Sequence, residues 1–405
     1  MSKVGGALPS WYWPAGIPRR VPVAQQPLGR MLRQRFATAK DRLAIAHHDV
    51  EISYGQLLER CLALAGGMQA ANLSGTIAIA EPDPVEALML CLAGWFAGRC
   101  VFLADPKARG EQLELQLAQA KASALIAPAP IGATRFVARS ELTGNYAESG
   151  TARRATEPAV LIRGRRGLVA HSHFSLSAMV AAMAAFIPHL REIPFVCTEP
   201  ALGSWEMLTG IILALLHGMP IKFDELQAHE RSDEHEIEKF GYVIIPRDRA
   251  DIMLADNSVP SVVRQANYVF VSTGFFAWRW RQRVETVLHR LVFPVWGLPE
   301  SGPLVAAHPT WLPTHGHGFP LVNVSLIPID PGSGKVSIVP WEMLEQAEVG
   351  VETLSAMVGY VEPSHNVGIK AGTAVRTRQV ASMDHVGVVV LRESLSVGQE
   401  TLRAN

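Results

Sequence analysis

A chain of 405 residues, 48% of them hydrophobic, can bury one or two sizeable cores, and its 37 Lys and Arg balance its 37 Asp and Glu. Zero formal charge, mixed without acidic or basic blocks, excludes the electrostatic footprint of a nucleic-acid binder and a basic tail for an anionic membrane. The most apolar stretches, 178–187 and 208–216, reach half of the ~20 residues a membrane span needs, and the N-terminus lacks a signal-type apolar run, so a soluble, cytoplasmic protein is expected.

Residues 1–30 hold Trp11, Trp13, Pro14, Pro18, Pro22 and Pro27 and read as an irregular arm, with helical signals beginning near Arg30. Ser53, followed three residues later by Gln56, has capping-box spacing, and Leu57, Leu58, Cys61, Leu62, Leu64 and Ala65 then recur with helical period. Short apolar strands at 76–80, 100–103 and 124–127 alternate with helices, one of them at 84–96, which is the pattern of a parallel sheet covered by helices. The polar, small-residue stretch 132–157 reads as a linker or surface loop. A second αβ series follows, with strands at 160–162, 195–198, 221–223, 242–245 and 268–271 and main helices at 175–186 and 205–217. Beyond Trp296, alternating runs at 322–329, 335–339 and 387–391 between Pro, Gly and Asp turns read as an antiparallel barrel or small sheet.

The expected fold class is therefore α/β: two αβ subdomains with mostly parallel sheets covered by helices, plus a small antiparallel, barrel-like subdomain. The expected boundaries are an arm (1–34), the first αβ subdomain (35–150), the second (151–295), and a β-rich subdomain with a short tail (296–405). Cys61, Cys91, Cys100 and Cys197 are far apart in apolar surroundings and read as buried thiols, not as a disulfide framework or a zinc ribbon.

Several segments, in order, resemble the adenylate-forming superfamily of acyl- and aryl-CoA ligases, peptide-synthetase adenylation domains and luciferases. ISYGQLLERCLALAGGMQ resembles the family's T-Y-x-E-L helix entry, and PDPVEALMLCLAGWFAGRCVFLADP its stretch ending in P-l-d-P. STGFF, with Gly274, Phe275 and Phe276, sits where the family has its adenine-binding turn, and WGLPESG, with Trp296, Gly297 and Glu300, where it has Y-G-x-T-E. GFPLVNVSLIPID, MVGYVE and RTRQVASMD continue the series to Asp384. The resemblance implies the N-terminal large domain of an enzyme that joins a carboxylate to ATP and passes the acyl group to a thiol. That chemistry consists of positioning and charge neutralisation at phosphorus, with backbone amides, cations and Mg²⁺ around the phosphates.

The phosphate-binding parts depart from the family pattern. Its loop, T-S-G-T-T-G-x-P-K-G followed by T-H, corresponds here to Ile162-Arg-Gly-Arg-Arg-Gly167, then Leu168 to His171, then Ser172-His173. Gly164, Gly167 and Ser172 keep family positions, but Arg163, Arg165 and Arg166 replace the hydroxyl residues, the Pro-Lys pair is gone and the loop is shorter. These arginines can be solvated loop cations, partners for an acidic protein surface or grips for phosphate. Where the family has a ribose-binding Asp, this chain has Gln379, which keeps one acceptor and loses the charge. Glu300 stands at the place of the family's Mg²⁺-associated Glu, preceded by Pro299 instead of Thr; a structural hydrogen bond is the alternative to a metal role. The family's C-terminal lid with its catalytic Lys is expected to be absent.

Trp205, Phe276 and Gly297 are candidate acyl-pocket residues, and Gly274, Phe275 and Trp296 candidate adenine contacts, with burial in the core as the alternative for each aromatic. Ala201 replaces the Asp that holds an amino group in peptide-synthetase relatives, which favours a fatty or aryl acid. The pairs His171/His173 and His315/His317 would each share one face of a strand, but they lack the carboxylate or thiolate context usual at zinc. No catalytic residue is assigned. The readings are a pseudoenzyme binding an acyl or aryl carboxylate, its adenylate or thioester, or a partner protein; a ligase completed by a separate lid polypeptide; and a bare scaffold. ATP or AMP and Mg²⁺ are expected as cofactors only if adenylation persists.

Overall fold

The computed structural model describes residues 16–47, 50–105, 107–130, 134–147, 154–187, 195–197, 203–223, 240–260, 263–264, 266–274, 276–308, 316–384 and 387–394. Helix α1 (Leu28–Thr38) precedes an antiparallel pair, β1 (Leu43–His47) and β2 (Val50–Ser53). Ser53 then caps α2 (Tyr54–Ala70) with the expected capping box: its hydroxyl accepts from the Gln56 N–H while the Gln56 side chain accepts from the Ser53 N–H. An alternating series follows, β3 (Thr76–Ile79), α3 (Pro84–Phe96), β4 (Cys100–Leu103), α4 (Gly110–Gln119), β5 (Ala122–Ala127) and β6 (Phe136–Ala138). Helix α3 starts on Asp83, whose carboxylate accepts from Val85 and Glu86, and Pro84 fills the first turn, where a missing N–H costs nothing.

Next come β7 (Pro158–Gly164), β8 (Gly167–Ser172), α5 (His173–Ala184), β9 (Phe195–Cys197), α6 (Trp205–His217), β10 (Ile221–Phe223) and β11 (Phe240–Pro246). They are followed by α7 (Arg247–Asp256), β12 (Ala266–Ser272), α8 (Trp278–Leu288), β13 (Val292–Leu298), β14 (Gly302–Ala306) and β15 (Phe319–Pro320). The last strands are β16 (Val324–Ile329), β17 (Ala347–Thr353), β18 (Gly359–Tyr360), β19 (Lys370–Ala371), β20 (Ala374–Met383) and β21 (Val389–Ser394).

The strands form three sheets. A nine-stranded sheet runs β15-β14-β13-β12-β11-β9-β10-β1-β2 and a seven-stranded one β18-β8-β7-β4-β3-β5-β6, each with a parallel centre; five antiparallel strands, β16, β17, β19, β20 and β21, make the third. The molecule is thus the mixed α/β architecture read from the sequence, with a curled antiparallel sheet as its third part. Sheet membership does not follow chain order: β1 and β2 complete the nine-stranded sheet although they precede every strand of the seven-stranded one, and β18 returns from the far end of the chain to pair with β8.

The largest core lies between the two big sheets. It joins Ile77 and Ile79 of β3 to Tyr242, Ile244 and Phe270 of β11 and β12 through α1, α3, α5 and α6. Helix α3 is buried from Ala87 to Phe96, as a helix apolar on every side must be. Each buried Leu or Met along it contributes ~2 kcal/mol of transfer free energy. The outer face of the nine-stranded sheet, with Val243, Ile245, Val269 and Val271, is covered by α7 and α8. The outer face of the seven-stranded sheet, with Phe102, Ala104 and Leu161, is covered by Leu113 and Leu117 of α4.

Three expectations are corrected. The stretch 167–172, matched to a loop by resemblance, is the strand β8, antiparallel to β7 with Gly164 opposite Gly167. The run 335–339 forms only an isolated bridge, Ile329 to Val336. Within 132–157, residues Phe136–Ala138 form a parallel edge strand beside β5. Cys61, Cys91 and Cys100 are buried free thiols. Among the described residues no helix is long and apolar enough to cross a membrane.

Candidate functional site

Both large sheets aim the carboxyl ends of their parallel strands at one cleft of about 910 Å³, the position where α/β sheets collect ligands. From the seven-stranded sheet come Ile79 and Glu81 after β3, Leu103 to Asp105 after β4, Arg163 of β7 and Gln116 of α4. From the nine-stranded sheet come Pro246 to Asp248 and Asp251 at the start of α7, Ser272 to Gly274 after β12, and Trp296 to Pro299 on β13. Gly203 to Glu206 at the entry of α6 and Gln379 of β20 close it. Of the residues singled out in the sequence, Arg163, Trp205, Gly274, Trp296, Gly297 and Gln379 line this cleft. Phe275 lies outside the described residues, as do Ala201 and His315.

The others are placed elsewhere, each with a structural task. Ser172 caps α5, accepting from the Ser175 N–H. Phe276 is buried against His317, ring centroids 4.3 Å apart, and against Trp280, and does not reach the cleft. Gly297 lacks a side chain because the backbone packs against the Trp205 ring: a Cβ there would stand 2.7 Å from Trp205 Cζ2. His171 ends β8 while His173 begins α5, so the two do not share a strand face. The His171 Nε2–H donates to Pro299 O at 2.6 Å, and burial drives its pKa down to about 4. The His317 Nε2–H donates to Gly274 O at 2.9 Å, its Nδ1 accepts from Leu391 N, and burial likewise lowers it to about 4. Both imidazoles are neutral struts at physiological pH.

The three arginines of the former phosphate loop have three different fates. Gly164 and Gly167 pair directly, leaving Arg165 and Arg166 as the two residues of a tight hairpin turn; the open loop of the family pattern is absent, and its nest of amides with it. Arg165 turns onto Glu300. Its N–H donates to Glu300 Oε1 at 3.0 Å, its Nε to Oε2 at 3.1 Å, and its guanidinium also donates to the carbonyls of Thr377 and Arg376. Arg166 donates to Val367 O at 2.9 Å, tying the turn to the segment that follows β18. Arg163 is exposed, lines the cleft and pairs with no other described residue. The expectation of three solvated cations holds for one of them.

Glu300 is fully buried, and Tyr360 Oη donates to its Oε1 as a third hydrogen bond. Burial alone pushes this carboxyl up, but the Arg165 guanidinium, the Tyr360 hydroxyl and the Arg165 N–H together hold it below the usual carboxylate range. Three of its roughly four acceptor sites are filled, and a guanidinium stands where a divalent cation would have to. Such a donor set does not fit Mg²⁺, which needs several oxygens in octahedral array. The ribose position fits no better. The Gln379 amide donates to the carbonyls of Val380 and Arg392, which leaves a single uncharged acceptor for two hydroxyls.

The cleft carries charge that the sequence reading missed. Glu206 is partly buried and accepts from Ser272 Oγ at 2.6 Å; burial raises its pKa, against the opposing effect of that hydrogen bond, and Asp248 adds to the rise. Arg247 is fixed by Asp251 at 3.1 Å and by Thr273, and stacks 4.0 Å over the Trp280 ring. Their common signal is position: each lies within a residue or two of the carboxyl end of a parallel strand or the entry of the next helix.

The AMP-binding enzyme family model matches residues 32–161. No curated protein matches the sequence. Among solved structures, the N-terminal subdomain of Klebsiella oxytoca NpsA in complex with 3-hydroxyanthranilyl-AMSN is similar at 18% identity and a TM-score of 0.75, over 91% of this chain and 99% of that one. Unliganded O-succinylbenzoate coenzyme A synthetase from Bacillus subtilis is similar at 17% identity, TM-score 0.76, over 93% and 80%. A long-chain-fatty-acid-CoA ligase from Archaeoglobus fulgidus is similar at 15% identity, TM-score 0.81, over 96% and 88%. At these identities the likeness to solved structures establishes a shared fold; with the family match over residues 32–161, it relates the chain to the adenylate-forming ligases at the level of the superfamily.

Proposed function

We propose that the protein is a divergent acyl- or aryl-acid ligase homologue that has given up adenylation and keeps its cleft for binding an acyl or aryl ligand. The observation that carries this reading is the Arg165–Glu300 pair. A side chain of the shortened hairpin turn neutralises the carboxylate at the metal position, and the pair is closed by Tyr360 and two backbone carbonyls. To admit Mg²⁺ and pyrophosphate, the site would have to break an ion pair whose carboxylate end is fully buried, which is strongly unfavourable because it leaves a charge without its partner. The cleft itself stays open and is walled by Trp205, Trp296 and Phe102, an apolar lining with a few polar groups of the kind that holds small organic ligands.

The test is ATP–pyrophosphate exchange by the purified protein with Mg²⁺ and a panel of fatty and aryl acids. No acid-dependent exchange is expected. Exchange that rises with one of the acids would overturn the loss of adenylation. Binding is read separately, from the rise in Tm that a ligand selective for the folded state must produce.

A further inference from the structure

At the carboxyl end of β4, the seven-stranded sheet presents two donors with nothing to donate to. Gln116 is 4% exposed and lines the cleft. Its Oε1 accepts from the Asp105 N–H at 3.3 Å, which fixes which end of the amide is committed to the protein. Its Nε2 is buried and has no hydrogen-bond partner. A buried amide donor left unpaired is unfavourable and seldom kept without a use.

Arg163 shares this place. Strands β4 and β7 are parallel, with Phe102 beside Leu161, so two residues further Arg163 comes level with Ala104. Phe102, Ala104 and Leu161 all face the core under α4, and side chains two apart on a strand share a face. Arg163 therefore projects on the face covered by α4, the helix that carries Gln116. It is exposed and unpaired among the described residues.

We infer that Gln116 and Arg163 form a subsite for the carboxylate of a monocarboxylic ligand, with the Phe102 ring in the cleft beside it. This rests on the binding function proposed above and places the ligand's acid group on the α4 side of β4 and β7, away from Glu300. A guanidinium and an amide N–H₂ are donors only on the faces they present, and together they match the two oxygens of a carboxylate. A polyphosphate suits the place less well. Glu81, Asp105 and Asp248 also line the cleft, none is paired with a described cation, and each added negative charge on the ligand meets them.

The experiment is calorimetric titration of the full chain with benzoate and decanoate, their uncharged amides, and pyrophosphate, repeated on Arg163→Gln, Arg163→Lys and Gln116→Leu. Either acid should bind more tightly than its amide and than pyrophosphate. Arg163→Gln and Gln116→Leu should each weaken acid binding about tenfold and leave amide binding nearly unchanged, and Arg163→Lys should fall between. Acids that bind both variants as tightly as the parent would overturn the subsite while leaving the binding function standing. Pyrophosphate binding more tightly than the acids, and lost in Arg163→Gln, would overturn the carboxylate assignment. No binding of either acid to the parent would overturn both. Because Arg163 is exposed, its variants keep the affinity reading free of folding defects.

Discussion

Around the β7–β8 turn, charge is settled inside the protein: each oxygen of Glu300 is met by Arg165 or Tyr360, and Arg166 and His171 spend their donors on backbone carbonyls. At the end of β4 it is not, since the Gln116 amide and the Arg163 guanidinium face the cleft without acceptors. The two regions are joined by the single strand β7, where Arg163 and Arg165 are two residues apart. A polar group whose partners all lie within the chain stabilises the fold and holds the backbone. One that is kept unsatisfied at a concave surface marks where a partner from outside belongs. Mutations and pH should therefore act on stability in the first region and on affinity in the second.

The largest effect expected is of acid on the settled side. His171 and His317 have pKa values lowered to about 4, so below 6.5 the unfolded chain binds protons that the folded one refuses. The stability they confer is complete above pH 6.5 and is lost as pH falls toward 4, by up to about 3 kcal/mol for each histidine. Glu300, whose pKa is lowered, adds loss in the same direction at still lower pH, as its carboxylate becomes protonated. Urea unfolding at pH 7 and pH 4.5 checks this, and His171→Gln, which keeps a donor for Pro299 O without titrating, should flatten the dependence. An unchanged urea midpoint across that range would break the assignment of these imidazoles as neutral struts.

Next in size is Arg165→Ala. It leaves the Glu300 charge buried with only the Tyr360 hydroxyl, and about 3 kcal/mol should be lost, at the low end for broken buried pairs because the Arg165 side chain is 30% exposed. Adding Glu300→Gln should recover part of the loss, and a double-mutant cycle in urea measures the coupling. Tyr360→Phe removes one donor to a charged acceptor and should cost about 1 to 2 kcal/mol, again read from the urea midpoint. Equal costs for Arg165→Ala with and without Glu300 ionised would mean that the turn is held by its carbonyl contacts alone.

Much of the frame was legible in the residues. Helices α3 and α6 appear at the expected bounds because a proline or serine cap precedes an unbroken apolar run, and β4 and β10 because each is a short apolar run between turn residues. Strand β8 was missed because likeness to a phosphate loop outweighed the alternation in Gly167–Ser172. The Arg165–Glu300 contact joins residues 135 apart, and no local spacing reports such a pairing. Gln116 did leave a trace. It stands in the buried stripe Leu113, Gln116, Leu117, where i, i+3, i+4 positions are normally apolar throughout, and a lone amide there is the kind of exception that invites the question of what it serves.

The smallest expected effect sharpens the comparison most, because its sign is opposite to the others. Gln116→Leu removes a buried donor that has no partner and puts an apolar side chain between Leu113 and Leu117, while the Asp105 N–H it releases sits on an exposed residue that water can reach. Folding should be unchanged or up to about 1 kcal/mol more favourable, since eliminating an unsatisfied group offsets the lost hydrogen bond. A Tm that stays level or rises, together with weaker acid binding, is the behaviour of a group retained for a ligand at some cost to stability. A clear fall in Tm would instead place Gln116 among the settled groups, with its amide as much a part of the fold as Arg165.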